Sequence, residues 1–436
     1  MRTCKELLVI LYVMVLLINE PQLTYACTMQ LQNQSGGLFS NINEPIDPFL
    51  GMDPTAFHIG YVMNGGINSE QNLETLHAED LPMTLEIPER EGYNFAGWYT
   101  DNTYTNKITE INRDNASNML LFAKWTKTID SYYNVEMYSY QTQSVMNHNQ
   151  KKLAECEYEF LDNVEIPGMP STREQDYLND YIVEGSQCLQ GLCFTPEYIL
   201  MTAYTEDAKA PGSLMIFDRE SGAFLVTLEM KKDSHLGGIA FDGENVWICH
   251  SNSNTLERIS YEYIKLIAEE SAGYCVDASA ISDEYRLKNT PSCITVYGGR
   301  IWVATYSKYF ESKMVSYAYD RTTDKLTSLS TYNIPSRVQG IAFDRNGSIY
   351  LSTSLGRNKS SYLKVYSSLL TMTDNTESPS VKIEMPPCSE EIVVADDNLY
   401  ILFESASQKY FEGTDGKGTS TSPIDKVLQV DVASIW

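Results

Sequence analysis

Side chains that could do chemistry are scattered along this 436-residue chain and form no catalytic signature. The sequence contains no G-x-S-x-G elbow, no H-E-x-x-H motif, no G-x-G-x-x-G turn and no phosphate loop. The five histidines stand far apart, and no two have the spacing of metal ligands: His58, His77, His148, His235 and His250. We therefore predict no catalytic residue, no metal site and no cofactor.

A second set of polar residues could bind a ligand, because each residue lies at or just before the start of a repeated apolar segment. The set combines amide, imidazole, guanidinium and carboxylate groups: Gln190, His235, Arg337, Gln339 and Glu390. Such a mixture could hydrogen-bond a sugar or a peptide at the mouth of a channel. The alternative is that these side chains only hydrate that channel.

Paired carboxylates would indicate an enzyme instead. Glycoside hydrolases place two carboxyl groups about 5 to 9.5 Å apart across the substrate. Glu390 and Glu391 are adjacent on a predicted strand, so their side chains point to opposite faces and cannot form such a pair. A second carboxylate beside Glu390 would favour a glycan- or peptide-acting hydrolase or lyase, which is the alternative to a non-enzymatic binding protein.

An internal repeat in residues 187–436 must position these side chains. Five segments align, beginning at residues 190, 237, 292, 339 and 390, and each is followed after a short turn by a second apolar strand. The spacings of 47, 55, 47 and 51 residues are typical of β-propeller blades, which repeat every 40 to 50 residues or so. We predict a mainly β chain with a five-bladed β-propeller, six blades being the alternative.

Several details of the repeat support this architecture. The acidic turns at residues 242–245, 344–347 and 396–398 suit hairpin loops and lack the ligand spacing of a calcium site. Residues 264–271 are predicted to form a helical insertion in the long second repeat. The last repeat shows no fourth strand, and residues 156–166 of the connecting region 127–186 are predicted to supply it.

The strand texture of the repeat has a counterpart in known propellers. It is seen in Gly238-Ile239-Ala240-Phe241-Asp242, Val246-Trp247-Ile248 and Ile301-Trp302-Val303. This texture resembles that of the broad NHL-like and YVTN-like propellers. The resemblance implies an architecture and no activity.

Residues 57–126 have a different, aromatic texture. A turn at Asn64-Gly65-Gly66 is followed by Arg90-Glu91-Gly92-Tyr93, by Phe95-Ala96-Gly97-Trp98-Tyr99 and by a closing Ala123-Lys124-Trp125. These motifs resemble the Listeria–Bacteroides repeat, also called the internalin B-type B repeat. The resemblance implies a small β-grasp-like module of secreted and cell-envelope bacterial proteins, acting as a spacer or interaction unit. We expect Trp98 and Trp125 to be core residues.

Composition restricts the partners. The chain has 58 acidic and 32 basic residues, for a formal charge of −26, which would repel nucleic acids and anionic membrane surfaces. We therefore expect no nucleic-acid partner. The expected partner is an extracellular protein or glycan, bound by a monomer.

The first residues indicate export. Arg2 and Lys5 precede twelve apolar residues, too few to span a bilayer, and residues 24–26 suit a signal peptidase. We predict a signal peptide over residues 1–26 and a linker over 27–56, with no membrane-spanning segment in the mature chain. The expected location is extracellular or in the cell envelope, and lipid attachment at Cys27 is an alternative.

Eight cysteines would remain after cleavage, without the C-x-x-C spacing of a zinc site. Most stand within strand patterns and are interpreted as buried thiols, and a disulfide framework is the alternative. Cys188 and Cys388 occupy equivalent places in the first and last repeats. A disulfide between them would close the ring, unless their Cα atoms lie more than about 7 Å apart.

Overall fold

The computed structural model describes residues 49, 52–90, 93–102, 104–127, 135–140, 150–172, 181–182, 187–205, 210–232, 235–270 and 275–436. The predicted signal peptide and Cys27 lie outside these residues. The chain divides into two compact units, residues 1–125 and 126–436. None of the helices within the described ranges is long and apolar enough to cross a bilayer.

The first unit is a mixed five-stranded sheet with strand order β2-β1-β7-β4-β5, accompanied by a small β3-β6 ladder. Strands β1 and β7 pair in parallel at its centre. The strands are β1 (Phe57–Val62), β2 (Thr75–Leu76), β3 (Met83–Thr84), β4 (Tyr93–Tyr99), β5 (Lys107–Ile108), β6 (Glu110–Ile111) and β7 (Met119–Lys127).

Two tryptophans form the centre of this unit, as predicted from the aromatic motifs. Trp98 and Trp125 are buried, and their indole N–H groups donate to the carbonyl oxygens of Glu86 (3.0 Å) and Met63 (2.8 Å). A Cβ atom on Gly66 would lie 2.2 Å from the Trp125 ring. The glycine turn is therefore required by the packing of Trp125 as well as by its backbone.

The second unit contains five antiparallel meanders along the chain. The first sheet holds β10 (Gln187–Phe194), β11 (Tyr198–Thr205), β12 (Pro211–Asp218) and β13 (Phe224–Lys232), with β17 (Cys275–Asp277) added in parallel. The second holds β14 (Leu236–Phe241), β15 (Asn245–His250), β16 (Thr255–Ser260) and β18 (Asp283–Arg286). The third holds β19 (Cys293–Tyr297), β20 (Arg300–Ala304), β21 (Ser312–Asp320) and β22 (Lys325–Ile334).

The last two sheets recruit strands from the segment before the repeat. The fourth holds β23 (Val338–Phe343), β24 (Ile349–Thr353), β25 (Ser361–Tyr366) and β26 (Val381–Met385), with β8 (Gln150–Lys152) added in parallel. The fifth holds β27 (Ser389–Ala395), β28 (Asn398–Phe403) and β29 (Leu428–Asp431), and its fourth strand is β9 (Tyr158–Phe160), antiparallel to β29.

The described residues of the second unit include four α-helices, the last of which follows β29: α1 (Tyr261–Glu270), α2 (Leu369–Asp374), α3 (Gln408–Phe411) and α4 (Val432–Ile435). The predicted helical insertion at residues 264–271 is confirmed as α1, whose Tyr261, Ile264 and Ala268 pack into the core shared by the first and second sheets.

The first strands of the five sheets contact one another in chain order, and β27 also contacts β10, so the contacts form a cycle. Glycine permits this approach, because a Cβ atom on Gly340 would lie 2.7 Å from both the Glu390 carbonyl oxygen and the Ile392 nitrogen. The second unit is thus mainly β and propeller-like.

The acidic turns serve the hairpins directly. The Asp242 carboxylate accepts backbone N–H groups of Glu244 and Asn245 and the indole N–H of Trp247 (2.9, 2.8 and 2.8 Å). Asp344 repeats this arrangement two sheets later, with the Tyr350 hydroxyl in place of the indole. These carboxylates anchor both the turn and the second strand.

Candidate functional site

The candidate site lies at one end of the β10–β11 and β27–β28 hairpins. Cys188 pairs with Tyr204 across the first hairpin, and the Glu404 N–H donates to the Cys388 carbonyl oxygen (3.0 Å) across the last. In each of these antiparallel hairpins, the residue that ends the second strand therefore lies beside the residue that begins the first strand. The entry residues were predicted as a binding set, and the exit residues add to it.

Two buried glutamates form the centre of the site. Glu390 and Glu404 are 3% and 8% exposed and hydrogen-bond each other. The Gln190 amide donates to Glu404 Oε2 (3.1 Å), and the Gln339 amide donates to Glu390 Oε1 (2.8 Å). The site thus links the first, fourth and fifth sheets through side chains.

Burial and proximity determine the protonation of this pair. Burial, followed by repulsion from Glu404, raises the pKa of Glu390 well above its ordinary value, and burial also raises the pKa of Glu404. Two carboxyl groups in direct contact hold one proton more tightly than separate ones. The pair can therefore offer a donor and an acceptor at the same place.

Helix α3 contributes a phenol and an ammonium group beside the pair. The Tyr410 side chain hydrogen-bonds Glu404, and Lys409 Nζ donates to the Tyr204 hydroxyl (2.7 Å). The Arg357 guanidinium lies 4.6 Å from the centroid of the Tyr410 ring. It is held by a bidentate contact with Asp415, with N···O distances of 3.0 and 2.8 Å.

His235 stands next to this group. Its ring centroid is 4.4 Å from that of Tyr204. Burial, and then the positive charge of Lys409, lower the pKa of His235 to about 4. The imidazole is therefore neutral at physiological pH and can both donate and accept a hydrogen bond.

Arg337 lies just before β23 and contacts the loop between β20 and β21. Its backbone is left-handed (φ 66°), and its Nε atom donates to the Lys308 carbonyl oxygen (3.1 Å). Lys308 belongs to the loop between β20 and β21, which also exposes Tyr309 and Phe310, at 69% and 77%. Tyr306, at the start of this loop, interacts electrostatically with Arg337 and with both Glu390 and Glu404.

The structure therefore groups the five predicted binding residues unequally. Gln190, Gln339 and Glu390 join one hydrogen-bond network through Glu404, and His235 approaches it through Tyr204 and Lys409. Arg337 is related to the pair through Tyr306, which interacts electrostatically with all three residues. Sequence reasoning missed Glu404, Tyr204, Lys409 and Tyr410, although the hairpin register would have indicated the first two.

The ring-closing disulfide is not formed: no disulfide joins Cys188 and Cys388, and both thiols are buried. The Cys188 thiol instead hydrogen-bonds the Tyr204 side chain. Cys388 has a left-handed backbone (φ 64°), and burial raises the pKa of its thiol. The partner of the Cys188 thiol is therefore a phenol and not a second sulfur.

Glu391, the next residue after Glu390 on β27, has different hydrogen-bond partners from the pair. Its carboxylate, 1% exposed, accepts the backbone N–H groups of Ile341 and Ile392 (3.3 Å each). A Cβ atom on Gly238 would lie 2.6 Å from Glu391 Oε2. Glu391 therefore fills space left by glycine between the first strands and is not part of the candidate site.

Comparisons with known proteins cover the two units differently. Residues 57–124 match the model of the Listeria-Bacteroides repeat domain. No curated protein matches the chain.

Similar solved structures include a glutaminyl cyclase from Myxococcus xanthus (10% identity, 63% of this chain and 95% of that one, TM-score 0.37). Others are a PQQ-bound aldose sugar dehydrogenase from Streptomyces coelicolor (12%, 63% and 98%, TM-score 0.38) and a nidogen/laminin complex (12%, 51% and 74%, TM-score 0.32). Among these comparisons, it is the family model that shows residues 57–124 to be similar to a Listeria-Bacteroides repeat.

Proposed function

We propose that this chain is a bacterial extracellular or cell-envelope binding protein whose five sheets form a five-bladed β-propeller of the broad NHL-like or YVTN-like type. Its ligand is a glycan or peptide held at the mouth formed by Gln190, Gln339, Glu390 and Glu404. The observation that carries the proposal is the Glu390–Glu404 pair with its two glutamine amides.

The chemistry of the mouth suits a polar, uncharged ligand. A carboxyl pair sharing a proton, two amides and a neutral imidazole can exchange hydrogen bonds with hydroxyl or amide groups without leaving a buried charge unpaired. Tyr309 and Phe310 add exposed ring faces in the β20–β21 loop, whose Lys308 carbonyl oxygen accepts a hydrogen bond from Arg337. Aromatic faces pack against the apolar faces of sugars and of peptide side chains.

The N-terminal module supports the location. Its similarity to the Listeria-Bacteroides repeat fits export by the signal peptide proposed at residues 1–26. In that setting the module acts as a spacer or a second interaction unit.

A hydrolase is the second candidate. The sequence alone offered no carboxylate that could pair with Glu390, and Glu404 now supplies one. Retaining glycosidases hold their carboxyl groups about 5 to 5.5 Å apart with substrate between them. Glu390 and Glu404 are instead in direct hydrogen-bond contact and nearly buried. This closer approach favours binding over hydrolysis.

The test is to screen the purified protein against arrayed glycans and peptides while following hydrolysis in the same wells. We expect retention of a ligand without turnover, and at least tenfold weaker binding in Gln339→Ala and in the Tyr309→Ala, Phe310→Ala double variant. Leu329→Ala, at another exposed apolar residue, is the matched control and should bind normally. Turnover that Glu404→Gln abolishes would establish the hydrolase, and the absence of any ligand would contradict both candidates.

A further inference from the structure

Three side chains of the second sheet share one face of its strands. Ile248 on β15 is paired with Glu257 on β16, and Glu257 is paired with Glu284 on β18. His250 is two residues beyond Ile248 and so points to the same face as Ile248. One ligating atom from each of His250, Glu257 and Glu284 lies within 4.8 Å of the other two.

The buried carboxylate of this cluster is incompletely satisfied. Glu257 is 0% exposed. Its Oε2 atom accepts the Ser282 hydroxyl (3.3 Å), while its Oε1 atom accepts no hydrogen bond from the residues that the structure describes. Oε1 lies 3.1 Å from His250 Nδ1, without hydrogen-bond geometry. A buried carboxyl oxygen that accepts no hydrogen bond is costly, and a bound cation would remove this cost.

The facing carboxylates add to this cost. Glu257 and Glu284 are directly opposite each other on neighbouring strands, where like charges are destabilising. Lys231 on β13 offsets part of the repulsion, with Nζ 2.5 Å from Glu284 Oε1. Lys231 contacts the more exposed carboxylate, so the need of Glu257 Oε1 for a cation remains.

We propose that His250, Glu257 and Glu284 bind a divalent transition-metal ion, with Zn²⁺ as the best-fitting class. One imidazole nitrogen and two carboxylate oxygens are ligands that Zn²⁺ accepts, with water in the fourth position. Ligand atoms about 2.1 Å from a tetrahedral zinc ion are about 3.4 Å apart. The His250–Glu257 separation of 3.1 Å is therefore close to that of two bound ligands.

The third ligand reaches the ion by a side-chain rotation. The Glu284 side chain is 42% exposed, so its carboxylate can rotate towards the other two and exchange Lys231 for the metal. Ser282, which bonds the other oxygen of Glu257, orients that ligand from behind, as outer hydrogen bonds do in metal sites. The metal would tie β15, β16 and β18 together.

Zinc chloride titrated into the chelator-treated full chain, followed by calorimetry, tests the site, and cobalt(II) absorption reports the coordination. We expect one equivalent to bind, at least tenfold more weakly in His250→Gln and in Glu284→Gln. Cys275→Ser and His77→Gln, at an exposed thiol and at an exposed imidazole near Asp80, are the controls and should bind normally. Lys231→Met should bind zinc more tightly, because the ion no longer competes with the ammonium group.

Glu284→Gln keeps the test decisive if His250→Gln misfolds, since residue 284 is exposed. The inference is overturned if the unaltered chain binds no zinc, if Glu284→Gln binds it as tightly as the unaltered chain, or if Cys275→Ser abolishes binding. The three residues lie on the second sheet, whereas Glu390 and Glu404 belong to the last hairpin. The result of the zinc titration is therefore independent of the proposed glycan or peptide ligand.

Discussion

Three buried glutamates of the second unit have different kinds of hydrogen-bond partner. Glu390 and Glu404 share a contact and each accepts a glutamine amide, whereas Glu391 accepts backbone N–H groups. Side-chain partners can reorient towards a ligand, while backbone donors in a strand cannot. Glu390 and Glu404 are therefore assigned to the candidate site, whereas Glu391, one residue after Glu390, has a structural role.

His235 offers a test of the site that needs no ligand. Because burial and the Lys409 charge lower its pKa to about 4, its imidazole should stay neutral down to pH 5, whereas an unperturbed histidine titrates near pH 6.5. Titration of the imidazole Cε1–H signal by NMR, assigned with His235→Gln, measures this value. Lys409→Met should move the pKa part of the way upwards, and a midpoint near 6.5 in the unaltered protein would contradict the described environment.

Local sequence could predict only part of this site. Gln190, Gln339 and Glu390 were found because each stands at the same place in a repeat. Glu404 was missed because it belongs to the opposite end of a hairpin, fourteen residues from Glu390, and its role depends on register. The proposed zinc ligands were not predicted for the same reason: His250 and Glu257 become neighbours only through the pairing of β15 and β16.

At the scale of elements, apolar patterns identified the long strands and failed for the short polar ones. Residues 156–166 alternate like one strand, but only Tyr158–Phe160 is a strand, and Leu153–Glu155 just before it forms a 3₁₀ turn. Strand β8 reads Gln-Lys-Lys and has no apolar signal at all. Such strands exist because a sheet edge offers them hydrogen bonds, which sequence patterns do not record.

Strand β9 can be tested by removing one of its edge bonds. The Leu161 N–H donates to the Val427 carbonyl oxygen (2.9 Å) next to the β9–β29 pairing. Leu161→Pro removes this donor and should lower the free energy of unfolding by about 2 to 3 kcal/mol, measured in urea. Leu161→Ala loses the same side chain but keeps the N–H, so equal destabilisation by both variants would show that the edge bond is unimportant.

For the whole molecule, the buried carboxyl groups predict that stability falls as pH rises. The pKa values of Glu390, Glu391 and Glu404 are all raised in the folded chain, chiefly by burial. Unfolding therefore releases protons above pH 4.5 or so, the ordinary value for glutamate. The stabilisation is fully present below that pH and is lost as pH rises through the folded pKa values.

Calorimetric melting temperatures from pH 5 to pH 8 measure this loss, and Glu390→Gln isolates the share of the carboxyl pair. A glutamine at 390 can still accept the Gln339 amide through its oxygen and can donate its own amide to Glu404, so the packing is kept. Because the pKa of Glu390 is raised in the folded chain, we expect the variant to lose part of the pH-dependent fall in melting temperature. Repulsion among the −26 charges acts in the same direction on both proteins, so an identical pH dependence would assign the effect to net charge and not to the pair.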